Sequence, residues 1–262
     1  MLGVLLMVAC TGPEADDSAG SADTWPQTDT APPEGFEVSG TVLGLLGEPV
    51  VDVFVTVSTE FCIPDQTDAE GRFTVGQVAE GPKRLITYGD TATNGLFASV
   101  VFAFDAEGPL VFDGPVLAPE LTEIWPLDPT AAEAQTIETA DGLTLTVAAG
   151  AVTLAPFAPD ELQVARVPVA QAPAFVPDGV ALVDLFALHP IQSTLDPPAR
   201  TSFPADTGLA PGAAVTFHSL DYDTGLLVPV ATGTVDADGH PTTDTDQGIP
   251  ELTWIGLSAE SP

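Results

Sequence analysis

The valine-rich stretch at residues 49–58, PVVDVFVTVS, decides the fold class. Its side chains alternate, with Val51, Val53, Val55 and Val57 on one face and Asp52, Phe54, Thr56 and Ser58 on the other. Period-two alternation with many β-branched residues predicts a half-buried β-strand. Residues 67–71 (TDAEG) then predict a turn into a strand at 72–75, because Asp bonds to its own backbone and Gly accepts a positive φ.

Similar strand patterns surround this stretch from residue 36 to residue 122. Residues 36–42 (FEVSGTV) alternate, and residues 85–88 (LITY) form another apolar run after the break at Gly81-Pro82. The segments 96–104 and 108–117 would supply the last strands of this region. We therefore expect a β-sandwich domain over 36–122.

A second strand-rich region extends from residue 130 to residue 258. The segment 121–134 (LTEIWPLDPTAAEA) is linker-like and separates the two regions. Turn signals at a spacing of about 8–12 residues favour a second sandwich or barrel. The predicted strands lie at 143–147, 162–169, 180–188, 214–220, 226–230 and 252–257. The predicted fold class is all-β, with two consecutive antiparallel β-sandwich domains.

The first ten residues, MLGVLLMVAC, indicate an export signal. Their apolar run is too short to span a bilayer and ends in Ala9 followed by Cys10. The run resembles a bacterial lipoprotein signal, which implies a signal peptide at 1–9 and lipid attachment at Cys10. The alternative is a buried cysteine in an apolar strand. The basic residues usual before such a run are absent, which leaves open a start upstream of Met1.

Residues 10–35 predict a disordered acidic tether. Six carboxylates and no base occur between residues 11 and 35, where Trp25 is the one large apolar side chain. Such a segment cannot bury enough surface to offset its ordering entropy. With Cys10 lipidated, Cys62 is the one remaining cysteine, and its apolar neighbours favour a buried thiol over an intermolecular bridge or a reactive site.

The charge balance excludes whole classes of partner. The chain has 38 Asp and Glu against 5 Lys and Arg, a formal net charge of −33. Nucleic-acid binding and a polybasic grip on a membrane surface both need clustered bases, so neither is expected. The predicted contact with a membrane is through the N-terminal lipid.

The first domain resembles the carboxypeptidase regulatory-like, or transthyretin-like, β-sandwich. The resemblance is carried by Gly40-x-Val42, Pro49-Val50, the alternating valines, the TDxxGRFxV series at 67–75, Val78 and Gly81. It implies an accessory module without catalytic residues, and no cofactor.

The second domain resembles a ZU5-like domain of bacterial surface proteins. The matching pieces are 142–151, Ala187-Leu188-His189-Pro190, 203–212, Tyr222-Asp223-Thr224-Gly225 with 228–230, and 235–239. The resemblance implies association between neighbouring modules. Some relatives cleave themselves at a His-Phe-Ser step, whereas the order here is Phe217-His218-Ser219, so self-cleavage is not expected.

Several short motifs spell out possible chemical sites. Asp206-Thr207-Gly208 and Asp223-Thr224-Gly225 match the aspartic-protease triplet, but their closeness in sequence favours two turns. The scattered histidines His189, His218 and His240 favour turn or surface roles. We expect no catalytic residues and no metal, with the pairs Asp221/Asp223, Asp236/Asp238 and Asp244/Asp246 interpreted as solvated turns. Weak Ca²⁺ binding at these pairs is the alternative, mainly at Asp221, Asp223, Asp236 and Asp238.

The sequence therefore predicts a non-catalytic, lipid-anchored protein of the bacterial envelope, with a structural or protein-interaction role. Thr11 after the cysteine favours the outer membrane or cell surface. The alternative is a glycan- or polymer-binding module of a degradative system, which exposed aromatics on one sheet face would favour. An envelope enzyme is the third hypothesis.

Overall fold

Twenty β-strands build the part of the protein that the computed structural model describes, residues 35–58 and 62–260. The predicted all-β class is confirmed. Within these residues the helical segments are three single 3-10 turns, and no helix has the length and apolar character needed to cross a membrane. The predicted signal peptide, Cys10, the tether and the side chain of Cys62 lie outside the described residues.

The first eight strands form two facing sheets, which we call the first unit. One sheet has the order β4-β1-β7 with β8 also on β1, and the other has the order β3-β2-β5-β6. The strands are β1 (Phe36–Leu43), β2 (Phe54–Ser58), β3 (Cys62–Gln66), β4 (Arg72–Val78), β5 (Gly81–Tyr88), β6 (Val100–Ala106), β7 (Leu110–Val111) and β8 (Val116–Leu117). The pairing is not purely antiparallel, because β7 and β8 run parallel to β1.

The valine stretch follows the predicted alternation only in its second half. Val53, Val55 and Val57 are buried, but Val50 takes the core position expected for Val51. Asp52 has a positive φ of 59°, which breaks the alternation, and β2 starts only at Phe54. The Thr67 hydroxyl accepts from the Val53 N–H (2.9 Å) and donates to the Val50 carbonyl (2.7 Å), so the break is satisfied by hydrogen bonds.

The opposite face of β2 is also buried, so the prediction of a half-buried strand is wrong. Thr56 and Ser58 are 1% and 3% exposed. They share rows with Ile86 and Arg84 of β5, because directly paired residues point to the same face of a sheet. That face is covered by the rest of the chain, as the contacts of Arg84 described below show.

The remaining strands form one twelve-stranded sheet, which we call the second unit. Its main order is β10-β11-β15-β18-β17-β16-β20-β14-β13-β9, with β12 and β19 also on β15. The strands are β9 (Glu123–Pro126), β10 (Gln135–Glu138), β11 (Thr144–Val147), β12 (Val152–Thr153), β13 (Glu161–Arg166), β14 (Leu182–His189), β15 (Ser193–Ser202), β16 (Ala214–Asp221), β17 (Leu226–Val235), β18 (Pro241–Thr243), β19 (Ile249–Leu252) and β20 (Trp254–Ala259). Strand β9 lies inside the segment expected as a linker and pairs with β13.

Strand β15 was not predicted, because it contains Pro197 and Pro198. Proline lacks the N–H that a sheet ladder needs. The ladder pairs of β15 lie at Ser193–Leu195 and again from Ala199 to Ser202, so the prolines fall between the two paired stretches. The local sequence does not show that the ladder is interrupted at these two prolines, so it does not predict a strand here.

The two units share one apolar core at their junction. Trp254 of β20 is fully buried, packs edge-on against Phe175 (centroids 4.9 Å apart), and donates its indole N–H to the Ser99 carbonyl of the first unit (2.7 Å). Leu220, Leu227 and Trp254 belong to the same buried cluster as the valines of β2. A separate cluster fills the interior of the second unit around Phe186, Phe203 and Phe217.

The turn between β16 and β17 fits closely against strand β6 of the first unit. Gly225 in this turn has a φ of 64°, and a Cβ atom there would lie 2.7 Å from the Ala103 amide nitrogen. Glycine is therefore needed twice, for its left-handed backbone and for the close approach of the two units.

The two Asp-Thr-Gly triplets provide a matched test of this junction. Gly208 also has a positive φ (76°), but in the described structure a Cβ there would face open space. We expect Gly208→Ala to lower the free energy of unfolding by about 1 kcal/mol from backbone strain alone. Gly225→Ala should cost about 1–3 kcal/mol more, because the added methyl collides with β6. Urea unfolding followed by far-UV circular dichroism measures both, and equal losses would contradict the close approach.

Candidate functional site

A groove of about 390 Å³ opens on the second unit between the β16–β17 hairpin and the β15–β19 pair. Its polar lining is formed by Gln192, Thr194, Ser219, Asp221, Asp223 and Glu251. Val228, Val230 and Pro250 supply an apolar strip along the same groove. The groove thus combines carboxylates, hydroxyls and aliphatic surface.

Ser219 of β16 is one of the residues that line the groove. It pairs directly with Val228 on one side and with Ile255 on the other, and Ile255 belongs to the interior core. Ser219 is only 4% exposed, and its hydroxyl makes no hydrogen bond to the described residues. The hydroxyl lines the open groove, so it is available to hydrogen-bond a group that enters the groove.

Glu251 of β19 lies on the wall of the groove that is formed by the β15–β19 pair, and its carboxylate is partly buried. It stands beside Thr194 in the β15–β19 ladder. Burial raises the pKa of Glu251, and the negative charges of Asp221 and Asp223 add to this rise, while a hydrogen bond from the Gln192 backbone opposes it. Among the described residues, no cation acts on Glu251 to oppose this rise of its pKa.

The first unit holds one wall of the groove in place. Arg84 of β5 donates to the Tyr222 carbonyl (2.8 Å), pairs with Asp223 (3.3 Å) and lies over the Tyr222 ring at 5.9 Å. The Tyr88 and Tyr222 hydroxyls are 3.3 Å apart, and burial raises the pKa of Tyr222. The hairpin tip that carries Asp221 and Asp223 is thus fixed by contacts across the junction.

A second charged cluster lies elsewhere and is closed on itself. The Arg166 guanidinium makes two hydrogen bonds to Asp184 (3.0 and 2.9 Å) and two to Asp206 (2.9 and 2.7 Å). Its positive charge lowers the pKa of the exposed Asp206, whereas burial raises the pKa of Asp184 despite the same partner. All of these donors and acceptors are used within the cluster, so we assign it a structural role.

The two Asp-Thr-Gly triplets occupy separate turns, as predicted. Asp206 forms an ion pair with Arg166, and Asp223 forms an ion pair with Arg84 at the junction. Gly208 and Gly225 both have the positive φ of a turn. The two carboxylates therefore serve different bases, and the shared-proton arrangement of an aspartic protease is not formed.

The surface or turn role predicted for His189 and His218 is wrong. Both lie in strands, 4% and 6% exposed, and burial lowers the pKa of each, partly offset at His189 by Asp90. Each has an Nδ1 atom without a hydrogen-bond partner among the described residues. His240 does lie at a turn, where its Nδ1 is 3.1 Å from the Phe203 carbonyl oxygen. A lone histidine between apolar strand residues, as in residues 186–189 (FALH), was the signal for burial.

His218 forms a hydrogen-bonded pair with Ser258, not with its neighbour Ser219. The His218 Nε2 and Ser258 Oγ atoms are 2.8 Å apart across β16 and β20. Successive residues of a strand point to opposite faces, which separates His218 from Ser219. The unpartnered Nδ1 lacks the third group that orients an imidazole as a general base, so no nucleophilic reaction is assigned to this pair.

The Asp-x-Asp pairs support turns at opposite ends of β17. The Asp221 carboxylate accepts from the N–H groups of Asp223 and Thr224 (2.8 Å each), and Asp236 accepts from those of Asp238 and His240 (2.9 Å each). Ten residues of β17 separate the two turns, about 30 Å of strand. Within residues 35–58 and 62–260, no group of three or more His, Cys, Asp or Glu side chains is placed to hold a metal ion. Ca²⁺ binding at these pairs stays a prediction.

Sequence reasoning found part of the groove and missed its other residues. It singled out Asp221 and Asp223, but for Ca²⁺, and it overlooked Ser219 and Glu251. The available signal for Glu251 was a lone carboxylate inside the apolar run at residues 249–257 (IPELTWIGL). Glu251 and Ser219 line the same groove because of the long-range order of the sheet.

The chain is similar to known proteins only in comparisons with solved structures. No protein-family model and no curated protein match the chain. Among solved structures, it is similar to the Bacillus anthracis TIE protein, at 10% identity and a TM-score of 0.30, over 87% of this chain and 49% of that one. The chain thus spans about half the length of that protein.

Two further solved structures are similar at the same level. A DUF3823 family protein from Parabacteroides merdae is matched at 9% identity and a TM-score of 0.26, over 87% of this chain and 98% of that one. A candidate carbohydrate-binding protein from Bacteroides uniformis is matched at 7% identity and a TM-score of 0.26, over 85% and 78%. Similarity at this level carries no function over to the chain.

The buried His218 should make stability depend on pH. Because burial lowers its folded pKa below the unfolded value of about 6.5, the unfolded chain binds more protons as the pH falls. The stability that neutral His218 contributes to the folded protein is fully present above pH ~6.5. It is lost as the pH falls from there toward the pKa of His218 in the folded state. Each tenfold difference in proton affinity between the two states corresponds to about 1.4 kcal/mol. His218→Gln should therefore lose less stability than wild type between pH 7.5 and 5.5 in urea unfolding. Equal losses in the two proteins would contradict the burial effect.

Proposed function

We propose that this protein is a non-catalytic binding module that is anchored to the bacterial envelope and presents the Ser219–Glu251 groove to a partner. The observation that carries the proposal is the groove itself, which is lined by the Ser219 hydroxyl and by Glu251, a partly buried carboxylate whose pKa is raised by burial. The partial burial of the Glu251 carboxylate carries an energetic cost that a bound ligand of complementary charge would relieve. A site with this property is suited to binding.

The shared core of the two units supports a rigid role for the body. Trp254 and Arg84 both reach across the junction, and Arg84 holds the hairpin wall of the groove through the Tyr222 carbonyl. A preorganised site loses less conformational entropy when it binds than a mobile one. The proposed module would therefore present its groove as a fixed surface at the end of the acidic tether.

The proposed family resemblances are supported at particular turns. In the TDxxGRFxV series, the Asp68 carboxylate accepts from the N–H groups of Glu70 and Arg72, and Gly71 has a φ of 75°. In the second unit, Gly150 and Gly239 have positive φ in the turns after β11 and β17. These positions suit a transthyretin-like first unit and a ZU5-like second unit, which we propose as the finer classification.

The glycan-binding alternative has less support in this geometry. It would be favoured by a row of exposed aromatic rings on a sheet face. Among the described residues, the one large aromatic side chain that is mostly exposed is Phe157, on the loop after β12. We therefore place a protein partner first.

The anchor is tested by labelling cells with a palmitate analogue. We expect wild-type chain and Cys62→Ala to be labelled, because the lipid is proposed to attach at Cys10. Cys10→Ala should lose the label and leave the membrane fraction. The Cys62 variant controls for thiol labelling elsewhere in the chain. Equal labelling of Cys10→Ala would refute the anchor.

The binding role is tested by site-specific photo-crosslinking in the native host. A photoreactive residue is placed at Thr194, which is exposed at the groove, or at Glu138, which is exposed on edge strand β10. We expect a discrete higher-mass adduct on a denaturing gel from position 194 and none from position 138. Adducts from both positions, or from neither, would contradict a partner at the groove.

A further inference from the structure

The charges in the groove are not balanced within the chain. Asp223 is paired with Arg84, and one oxygen of Asp221 is occupied by turn N–H groups. Glu251, the most desolvated of the three, has no base among its perturbing neighbours, and the two aspartates act on it as like charges. A group that enters the groove with a positive charge would remove this repulsion.

We propose that the groove binds a cationic side chain of a partner protein, an ammonium or guanidinium group on an aliphatic stem. The charged head would lie between Glu251 and Asp221 and donate a hydrogen bond to the Ser219 hydroxyl. The stem would cover Val228 and Val230. The inference rests on the proposed function and names the ligand chemistry of the same groove.

The apolar strip distinguishes this ligand from a free metal ion. A Ca²⁺ ion needs six to eight oxygen ligands and would leave the valines of the groove uncovered. Lysine and arginine carry three or four methylenes behind their charge and routinely place them along apolar surface. A carboxylate on one wall and valines on the other match this arrangement.

The composition of the chain supports a partner that supplies the charge. The chain has five Lys and Arg residues against 38 Asp and Glu residues. Two of the five, Arg84 and Arg166, are already engaged in ion pairs within the protein. A net charge of −33 also favours encounter with basic surfaces over acidic ones.

The proposal is tested by methyl NMR on the full-length Cys10→Ala chain. The probes are Ac-Gly-Arg-Gly-NH₂ and its neutral counterpart, in which citrulline replaces arginine. We expect saturable shifts of the Val228 and Val230 methyl signals with the arginine peptide, and binding about tenfold weaker for the citrulline peptide, because hydrogen bonds to charged groups are the stronger ones. Salt should weaken the arginine peptide selectively.

A matched pair of variants locates the contact. Glu251→Gln should weaken the arginine peptide about tenfold and leave the citrulline peptide unchanged, whereas Glu138→Gln on β10 should change neither. Glu251 is at a wall of the groove and Glu138 is on the exposed edge of the same unit.

Three results would overturn the inference. The first is equal binding of the two peptides, and the second is the absence of methyl shifts at 10 mM arginine peptide. The third is a response of the same signals to glucose but not to arginine, which would indicate a glycan site. In each case the crosslink at position 194 decides separately whether the groove has a partner, so the two proposals can fail independently.

Discussion

The buried hydrogen bond from the Trp254 indole to the Ser99 carbonyl is the interaction on which the rest of the structure depends. Trp254 lies on β20, between β14 and β16 in the middle of the long sheet. An indole N–H that is fully buried must find an acceptor, and the acceptor here belongs to the other unit. Neither unit can therefore complete its burial alone, since the face of β2 that carries Thr56 and Ser58 is covered only when the two units pack together.

The same junction gives the groove its shape. The β16–β17 turn rests on β6 at Gly225, and Arg84 and Tyr88 fix Tyr222 beside it. Asp221 and Asp223 of this turn line the groove together with Glu251, and Ser219 lies two residues before Asp221 on β16. The groove residues thus belong to the second unit, while the position of one wall is set by the first. The proposed binding at the groove would therefore depend on the packing at the junction, through the hairpin turn between β16 and β17.

The sequence could predict strands but not which of their faces would be covered. The alternation of Val53, Val55 and Val57 was visible because a strand face repeats every two residues. The burial of Thr56, His189 and His218 was not visible, since it depends on sheets that are distant in sequence. Strand β15 was missed for a related reason: its prolines are tolerated only because the ladder is interrupted there. Glu251 and Ser219 meet through the order of the sheet, which no local pattern encodes.

With so few bases in the chain, the ion pairs of Arg84 and Arg166 have a structural role. A chain with many lysines can form surface pairs that contribute little to stability. Here Arg84 and Arg166 are themselves partly buried: Arg84 pairs with the exposed Asp223 at the junction, and Arg166 pairs with the buried Asp184 near the 3-10 turn at Ala205–Thr207. Glu251 is also partly buried, but no base among the described residues pairs with it, so the free-energy cost of its burial is not offset by an ion pair. The carboxylates at Arg166 thus have a basic partner within the chain, whereas Glu251 in the groove has none among the described residues. For this reason the groove is where we expect a cationic partner to bind.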